Sequence, residues 1–123
     1  MNRVLILSAD PSFLNKLAPA MRLADFDVVC AANIIEGLKQ LDETQVNLVI
    51  LDEFLSINSW RICQQIDHMF NTEIILLGSL PSEEAWDNAD ETGFDYYMEK
   101  PVSFTELNAR TRALIRRRNA RNN

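Results

Sequence analysis

With 123 residues, 47% of them hydrophobic and 24% charged, the chain is long and apolar enough to bury one core, and too apolar to be a disordered segment. Its net charge of −6 is unevenly spread: residues 1–99 hold 17 acids and 5 bases, residues 100–123 hold 1 acid and 7 bases. Two cysteines, Cys30 and Cys63, lack CxxC spacing and a histidine cluster, which excludes a disulfide or zinc scaffold and implies reduced, packed thiols.

The first apolar run, Val4–Leu7, is too short for a signal-peptide core or a membrane span, so a cytoplasmic protein without membrane contact is expected. A continuous run of this kind suits a strand buried on both faces. Asp10-Pro11 then opens a helix, the aspartate as N-cap and the proline at the first helical position, with Phe13, Leu14, Leu17, Met21 and Ala24 at helical spacing. Phe26–Cys30 reads as a second strand. Asn33, with Glu36 three residues on, opens a second helix carrying Ile34, Leu38 and Leu41. Val46–Leu51 is a third strand ended by Asp52-Glu53, and Ile62, Ile66, Met69 and Phe70 mark a third helix. Ile74–Leu77 is a fourth strand stopped by Gly78-Ser79. Pro81 to Glu84 open a fourth helix, for which Gly93 supplies the C-cap, and Tyr96–Met98 is a short fifth strand. Ser103 and Glu106 make a capping box, and Val102 can staple onto Leu107. The last helix carries Phe104, Leu107, Thr111, Leu114 and Ile115, with a frayed end over residues 119–123.

Five strand–helix repeats predict an α/β domain over residues 1–118, a doubly wound five-stranded parallel sheet covered on both faces, followed by a tail or truncated linker over 119–123. Ligands of such sheets bind beyond the carboxyl ends of the strands, which directs attention to Ser8-Ala9-Asp10, Asp52-Glu53, Gly78-Ser79 and Lys100. With only three glycines and no Gly-rich loop directly following the first strand, the sequence argues strongly against a dinucleotide or P-loop site. His68, the one histidine, has no nucleophile motif beside it and reads as a surface residue. What remains is Asp52 and Lys100 at matching ends of two strands. A carboxylate held ionised by an ammonium can act as a nucleophile or an anion site, although each alone also reads as an ordinary strand-end charge.

VNLVILDEFL (46–55), GFDYYMEKP (93–101) and RVLILSADPSF (3–13) together resemble the response-regulator receiver family, over roughly residues 3–117. The resemblance implies a flavodoxin-like fold with strand order 2-1-3-4-5. It further implies Asp52 as the phosphoacceptor position, Lys100 as the phosphate or ion-pair lysine, Tyr97 as the aromatic switch and a cis bond at Lys100-Pro101. The departures bear on function. The family's two metal-binding acids after the first strand are Ser8 and Ala9 here, with Asp10 next in line. The switch hydroxyl after the fourth strand is Gly78, with Ser79 one residue on. Ser56 stands where a proline is common. Asp52 with a stretched Asp10 makes a weak or absent Mg2+ site.

The expected function is therefore an atypical receiver of two-component phosphorelay signalling, not an enzyme beyond weak self-phosphorylation and dephosphorylation at Asp52, with output through protein contacts. The alternative is a phosphorylation-competent receiver that accepts a phosphoryl group from a histidine kinase, as the regulatory domain of a DNA-binding regulator. The final helix ELNARTRALIRRR (106–118) resembles that of winged-helix regulators of the OmpR/PhoB type. Expected partners are a histidine kinase or other signalling protein, and a second copy through the face of the fourth helix, fifth strand and last helix. There Glu106 lacks a base to meet, Asp95 is available to an arginine such as Arg110, and Trp86, Tyr96 and Tyr97 can add aromatic contact. Trp86 reads equally as packing on its own helix. Nucleic acid is reached only through an output domain outside this sequence, and the Arg116–Arg118 and Arg121 cluster reads as a solvated helix end.

Overall fold

A computed structural model describes residues 1–53 and 59–121; Phe54, Leu55 and Ser56 of the expected site region lie outside the described residues, as do Asn122 and Asn123. The elements in chain order are β1 (Arg3–Leu7), α1 (Pro11–Leu23), β2 (Asp27–Ala31), α2 (Ile34–Glu43), β3 (Leu48–Asp52), α3 (Ser59–Met69), β4 (Glu73–Gly78), α4 (Ser82–Trp86), α5 (Ala89–Thr92), β5 (Tyr96–Glu99) and α6 (Phe104–Arg121). The strands form one parallel sheet in the order β2-β1-β3-β4-β5, as expected.

The apolar runs alternate between two cores. Val4, Ile6, Leu48, Ile50, Ile75, Leu77 and Met98 point to the side covered by α1 and α6, where they meet Leu17, Met21, Leu107 and Leu114. Leu5, Leu7, Val49, Leu51, Ile74, Leu76 and Tyr97 point to the other side, against Leu41, Ile62, Ile66 and Ala85. Every residue of β3 and β4 is buried, which is why these strands read as unbroken apolar runs. At the sheet edge the pattern loosens, and Cys30 on β2 is exposed, contrary to the expectation of a packed thiol. Cys63 is buried, and that burial, with Asp67 and Asp95 nearby, pushes its thiol up to about 12, so it carries no thiolate chemistry at neutral pH.

The helix signals act as the sequence predicts at α1 and α2. Asp10 accepts hydrogen bonds from the Ser12 and Phe13 amides at 3.0 and 3.3 Å, and Asn33 accepts from Glu36 at 2.9 Å. Each such cap is worth about 1 kcal/mol. At the last helix the Ser103 hydroxyl accepts from the Glu106 amide at 3.2 Å.

Three expectations change. The fourth helix is split into α4 and α5 at Asp87-Asn88: the Asn88 amide reaches back only to Ala85, while its side chain donates to Glu84. Gly93 then ends α5 with a left-handed backbone, φ 80°. Met69 is 59% exposed instead of packing on the α3 core face. The final helix runs on to Arg121, into the residues expected as a frayed end, because its arginines are anchored. Arg118 and Arg121 donate to Oε1 of Glu73, at 3.2 and 2.9 Å, and Arg117 lies 3.9 Å from Oε2. Glu73 is buried in the first position of β4, so these ion pairs hold the end of α6 against the sheet.

Asp95 lies beside Glu73 and accepts from the Ile74 amide at 2.8 Å. Burial raises its carboxyl from 3.8 to about 6, with Glu73 and Asp67 adding to the rise and the Ile74 hydrogen bond opposing it. A raised acid binds its proton more tightly in the folded chain than in the unfolded one. The stability this confers is fully present below about pH 4 and is lost as pH rises through about 6. Asp95→Asn keeps an acceptor for Ile74 and removes the like charge. It should raise stability at pH 7.5 by about 1 kcal/mol, after allowing for solvent screening, and flatten the pH dependence between 4 and 7 in urea unfolding.

Candidate functional site

The register places the site. Asp52 is the last residue of β3, paired with Leu77 of β4, and Ser8 follows β1 on the neighbouring strand. In the alternation of β3, Asp52 falls on the side of Leu48 and Ile50; Ser8 follows Val4 and Ile6 in the same way, and Lys100 follows Met98. These three side chains converge at the carboxyl edge of the sheet, over the α1 and α6 side.

Asp52 is fully buried. Its Oδ1 pairs with the Lys100 ammonium, and its Oδ2 accepts from the Ser8 hydroxyl at 2.6 Å. The Ser8 oxygen in turn accepts from the Asp10 amide at 3.1 Å, so the serine links the carboxylate to the start of α1. Lys100 reaches Asp52 from the β5–α6 connection, where its bond to Pro101 is cis, as the resemblance implies. Its ammonium lies 5.7 Å from the centre of the Phe13 ring. Beside it Asp10, Phe13, Lys100, Pro101, Val102 and Phe104 line a largely apolar hollow of about 310 Å³.

This donor set does not fit Mg2+. The ion asks for several carboxylate or carbonyl oxygens in octahedral array. Here Ser8 gives one neutral hydroxyl oxygen, which already accepts from the Asp10 amide, Ala9 has no donor in its side chain, and Oδ1 of Asp10 is held by the amides of α1. Among the described residues no group of three or more His, Cys, Asp or Glu side chains is placed to hold a metal ion.

The next residue turns to the opposite side of the sheet. Glu53 sits near Gly78 and Tyr97, and its carboxylate accepts from both the amide and the hydroxyl of Ser79, the amide at 2.8 Å. Tyr97 is buried and donates its hydroxyl to the Leu80 carbonyl at 2.9 Å. Burial, with Glu53 and Glu99 nearby, pushes its phenol up to about 12, so it remains a donor across the physiological range. A Cβ at position 78 would stand 2.5 Å from the Tyr97 hydroxyl oxygen, so the glycine is what lets the ring lie there. Gly78, Ser79 and Tyr97 are expected as one group, and the sequence marks Glu53 only as a strand-end acid without a part in it. Its available signal was strand alternation, which sends adjacent acids at a strand end to opposite faces.

The α4–β5–α6 face differs from expectation in its charges. Arg110 stacks on the Tyr96 ring, 4.6 Å from its centre, and Asp95 is turned to the Ile74 amide. Trp86 is 41% exposed and meets Phe94 and Tyr96 edge-on, at 5.0 and 5.7 Å between centroids, so it both packs and presents surface. His68 is exposed on α3.

The fold is the flavodoxin-like fold of CheY-like receiver domains, and the proteins that the chain resembles are response regulators. The chain resembles the CheY-like receiver domain protein from Methanospirillum hungatei JF-1, with a TM-score of 0.87 at 20% identity over 98% of both chains. It is equally similar to the receiver domain of the Francisella response regulator 1452, with a TM-score of 0.87 at 22% identity over 95% of this chain and 98% of that one. In sequence it is 30% identical over 118 residues to the alkaline phosphatase synthesis transcriptional regulatory protein PhoP of Bacillus subtilis, 94% of this chain and 49% of PhoP. It is 28% identical over 121 residues to the DNA-binding dual master transcriptional regulator RpaA of Synechocystis, 95% of this chain and 50% of RpaA. The chain thus spans about half the length of these curated relatives. No family model matches it. Among the described residues no helix is long and apolar enough to cross a membrane.

Proposed function

We propose that the chain is an atypical receiver module of two-component signalling, in which Mg2+-dependent phosphorylation of Asp52 is impaired and the output runs through protein–protein contacts. One observation carries this reading: both oxygens of the acceptor are engaged, Oδ1 by Lys100 and Oδ2 by the Ser8 hydroxyl. A phosphoryl donor meets a carboxylate whose nucleophilic oxygens are already bound, and among the described residues no group of three or more acids, histidines or cysteines is placed to recruit a metal. On this reading the chain is a cytoplasmic signalling module and not an enzyme beyond weak self-phosphorylation and dephosphorylation.

Incubation with a small-molecule phosphodonor and millimolar Mg2+ tests it. The expected result is labelling that is slow and no faster with Mg2+ than with EDTA. Robust Mg2+-dependent labelling that disappears in Asp52→Ala would overturn it.

A second reading is favoured by the retained Asp52–Lys100 pair, which keeps nucleophile and cation in register. On that reading the chain accepts a phosphoryl group from a histidine kinase and regulates an appended output domain. The relatives, about twice as long and including a DNA-binding regulator, support a transcriptional output. Both readings place partners on two surfaces. The hollow beside Phe13 and Phe104 suits a kinase or other signalling protein, and the Trp86–Tyr96–Arg110 face suits a second copy.

A further inference from the structure

We infer that Glu53 is the positioning residue of the switch: its carboxylate latches the β4–α4 connection through Ser79 and thereby holds Tyr97 inward without any event at Asp52. This goes beyond the preceding reading and stands whether or not Asp52 is phosphorylated.

The latch is a chain of three links. The first is a two-pronged acceptor site, in which the Glu53 carboxylate takes the Ser79 amide at 2.8 Å and the Ser79 hydroxyl as well. Hydrogen bonds to an ionised acceptor are about twice as strong as neutral ones, and two on one carboxylate fix both the position and the orientation of the loop. The second is the next residue: with Ser79 pinned to the end of β3, the Leu80 carbonyl is presented to the Tyr97 hydroxyl at 2.9 Å. The third is space. Tyr97 lies where a side chain at position 78 would be, since a Cβ there would stand 2.5 Å from its hydroxyl oxygen and 3.0 Å from a Glu53 carboxylate oxygen. A side chain at 78 would therefore push apart both the ring and the latch.

Among the described residues, Asp52 makes none of these contacts. It faces the α1 and α6 side, bound to Ser8 and Lys100, whereas Glu53, Gly78 and Tyr97 lie on the α3 and α4 side. The anion that fixes the loop is thus a constant feature of the chain, not an added group. Tyr97 closes the inner edge of the surface formed by α4 and β5, so its inward position sets one fixed shape for that surface.

Fluorotyrosine-labelled full chain, with Tyr96→Phe used to assign the Tyr97 resonance, tests the latch by 19F NMR and amide hydrogen exchange. The expected result is a single buried Tyr97 signal in the wild type, unchanged in Asp52→Asn. In Glu53→Ala the signal should shift toward the solvent-exposed position, and the Ser79 amide should exchange about ten-fold to a hundred-fold faster. Glu53→Gln retains one acceptor oxygen and should fall between the two, which a loss of fold would not produce. Gly78→Ala should move the same signal outward. A Tyr97 resonance unaffected by Glu53→Ala and Glu53→Gln, or displaced as far by Asp52→Asn, would overturn the inference. None of these readouts uses a phosphodonor, so they can fail while the phosphorylation result holds, and the reverse.

Discussion

A Ser8→Asp, Ala9→Asp variant should label with a small-molecule phosphodonor about a hundred-fold faster than the wild type, and only with Mg2+ present. The reason lies in the local geometry. Ser8 is fully buried, and its oxygen lies 2.6 Å from the Asp52 carboxylate, so an acid at that position shares one small volume with Asp52. Without metal the two carboxylates repel, and the variant should melt lower than the wild type in EDTA. Mg2+ relieves that repulsion, binds the folded state alone and should raise the melting temperature by about 5 °C, where the wild type should not respond. A metal that offsets developing phosphoryl charge is worth several kcal/mol in the transition state, which sets the size of the rate gain. Equal labelling of variant and wild type, or labelling indifferent to EDTA, would mean that the acids at 8 and 9 are not what limits the chemistry.

Much of the fold is legible because a parallel sheet buried on both faces makes its demands locally. Val4–Leu7, Leu48–Leu51 and Ile74–Leu77 have no solvent side, so no polar residue interrupts them and each reads as a continuous apolar run. Asp10 and Asn33 are equally readable, since a cap acts within three residues of itself. Glu73 was not legible. A glutamate ahead of an apolar run reads as a boundary, yet it is the first, buried residue of β4, and what makes its burial tolerable comes from Arg118 and Arg121, some 45 residues away in sequence. The same pairing explains why the Arg-rich end continues as helix instead of fraying: its stability is tertiary, and no local propensity announces it.

The site divides along the same line. Asp52 and Lys100 are readable as strand-end residues, and the sheet brings them together as expected. The chain also resembles receiver domains over nearly its whole length, which fixes which strand ends are neighbours. Ser8 was read as a lost metal ligand, and its positive role, donating to Asp52 and accepting from Asp10, depends on a distance that no one-dimensional pattern supplies. Glu53 is legible only as a strand-end acid, without its role, for a related reason. It is adjacent to Asp52 in sequence but belongs to the other face of the sheet, so it works with Ser79 and Tyr97 and not with its neighbour.

Removing the two partners of the Asp52–Lys100 pair should have unequal costs, and the inequality follows from burial. The Asp52 side chain is 1% exposed and that of Lys100 is 18% exposed, so only the lysine has a way to water. Lys100→Met leaves a carboxylate in the core edge with the Ser8 hydroxyl as its remaining described donor. The cost of removing one partner of a buried ion pair, about 3 kcal/mol or more, should appear as a lower urea midpoint at unchanged slope. Asp52→Asn replaces the buried charge by an amide that can still accept from Ser8, and leaves an ammonium that already has some access to water. Its stability should lie within about 1 kcal/mol of the wild type, since desolvation of the carboxylate and its attraction to Lys100 largely offset each other. Combining the two substitutions should then recover about 2 kcal/mol of the loss seen in Lys100→Met alone, the coupling that a direct ion pair produces in a double-mutant cycle. If Asp52→Asn proves the more damaging of the two, or the double variant is simply the sum of the singles, the pair is not what balances the buried carboxylate.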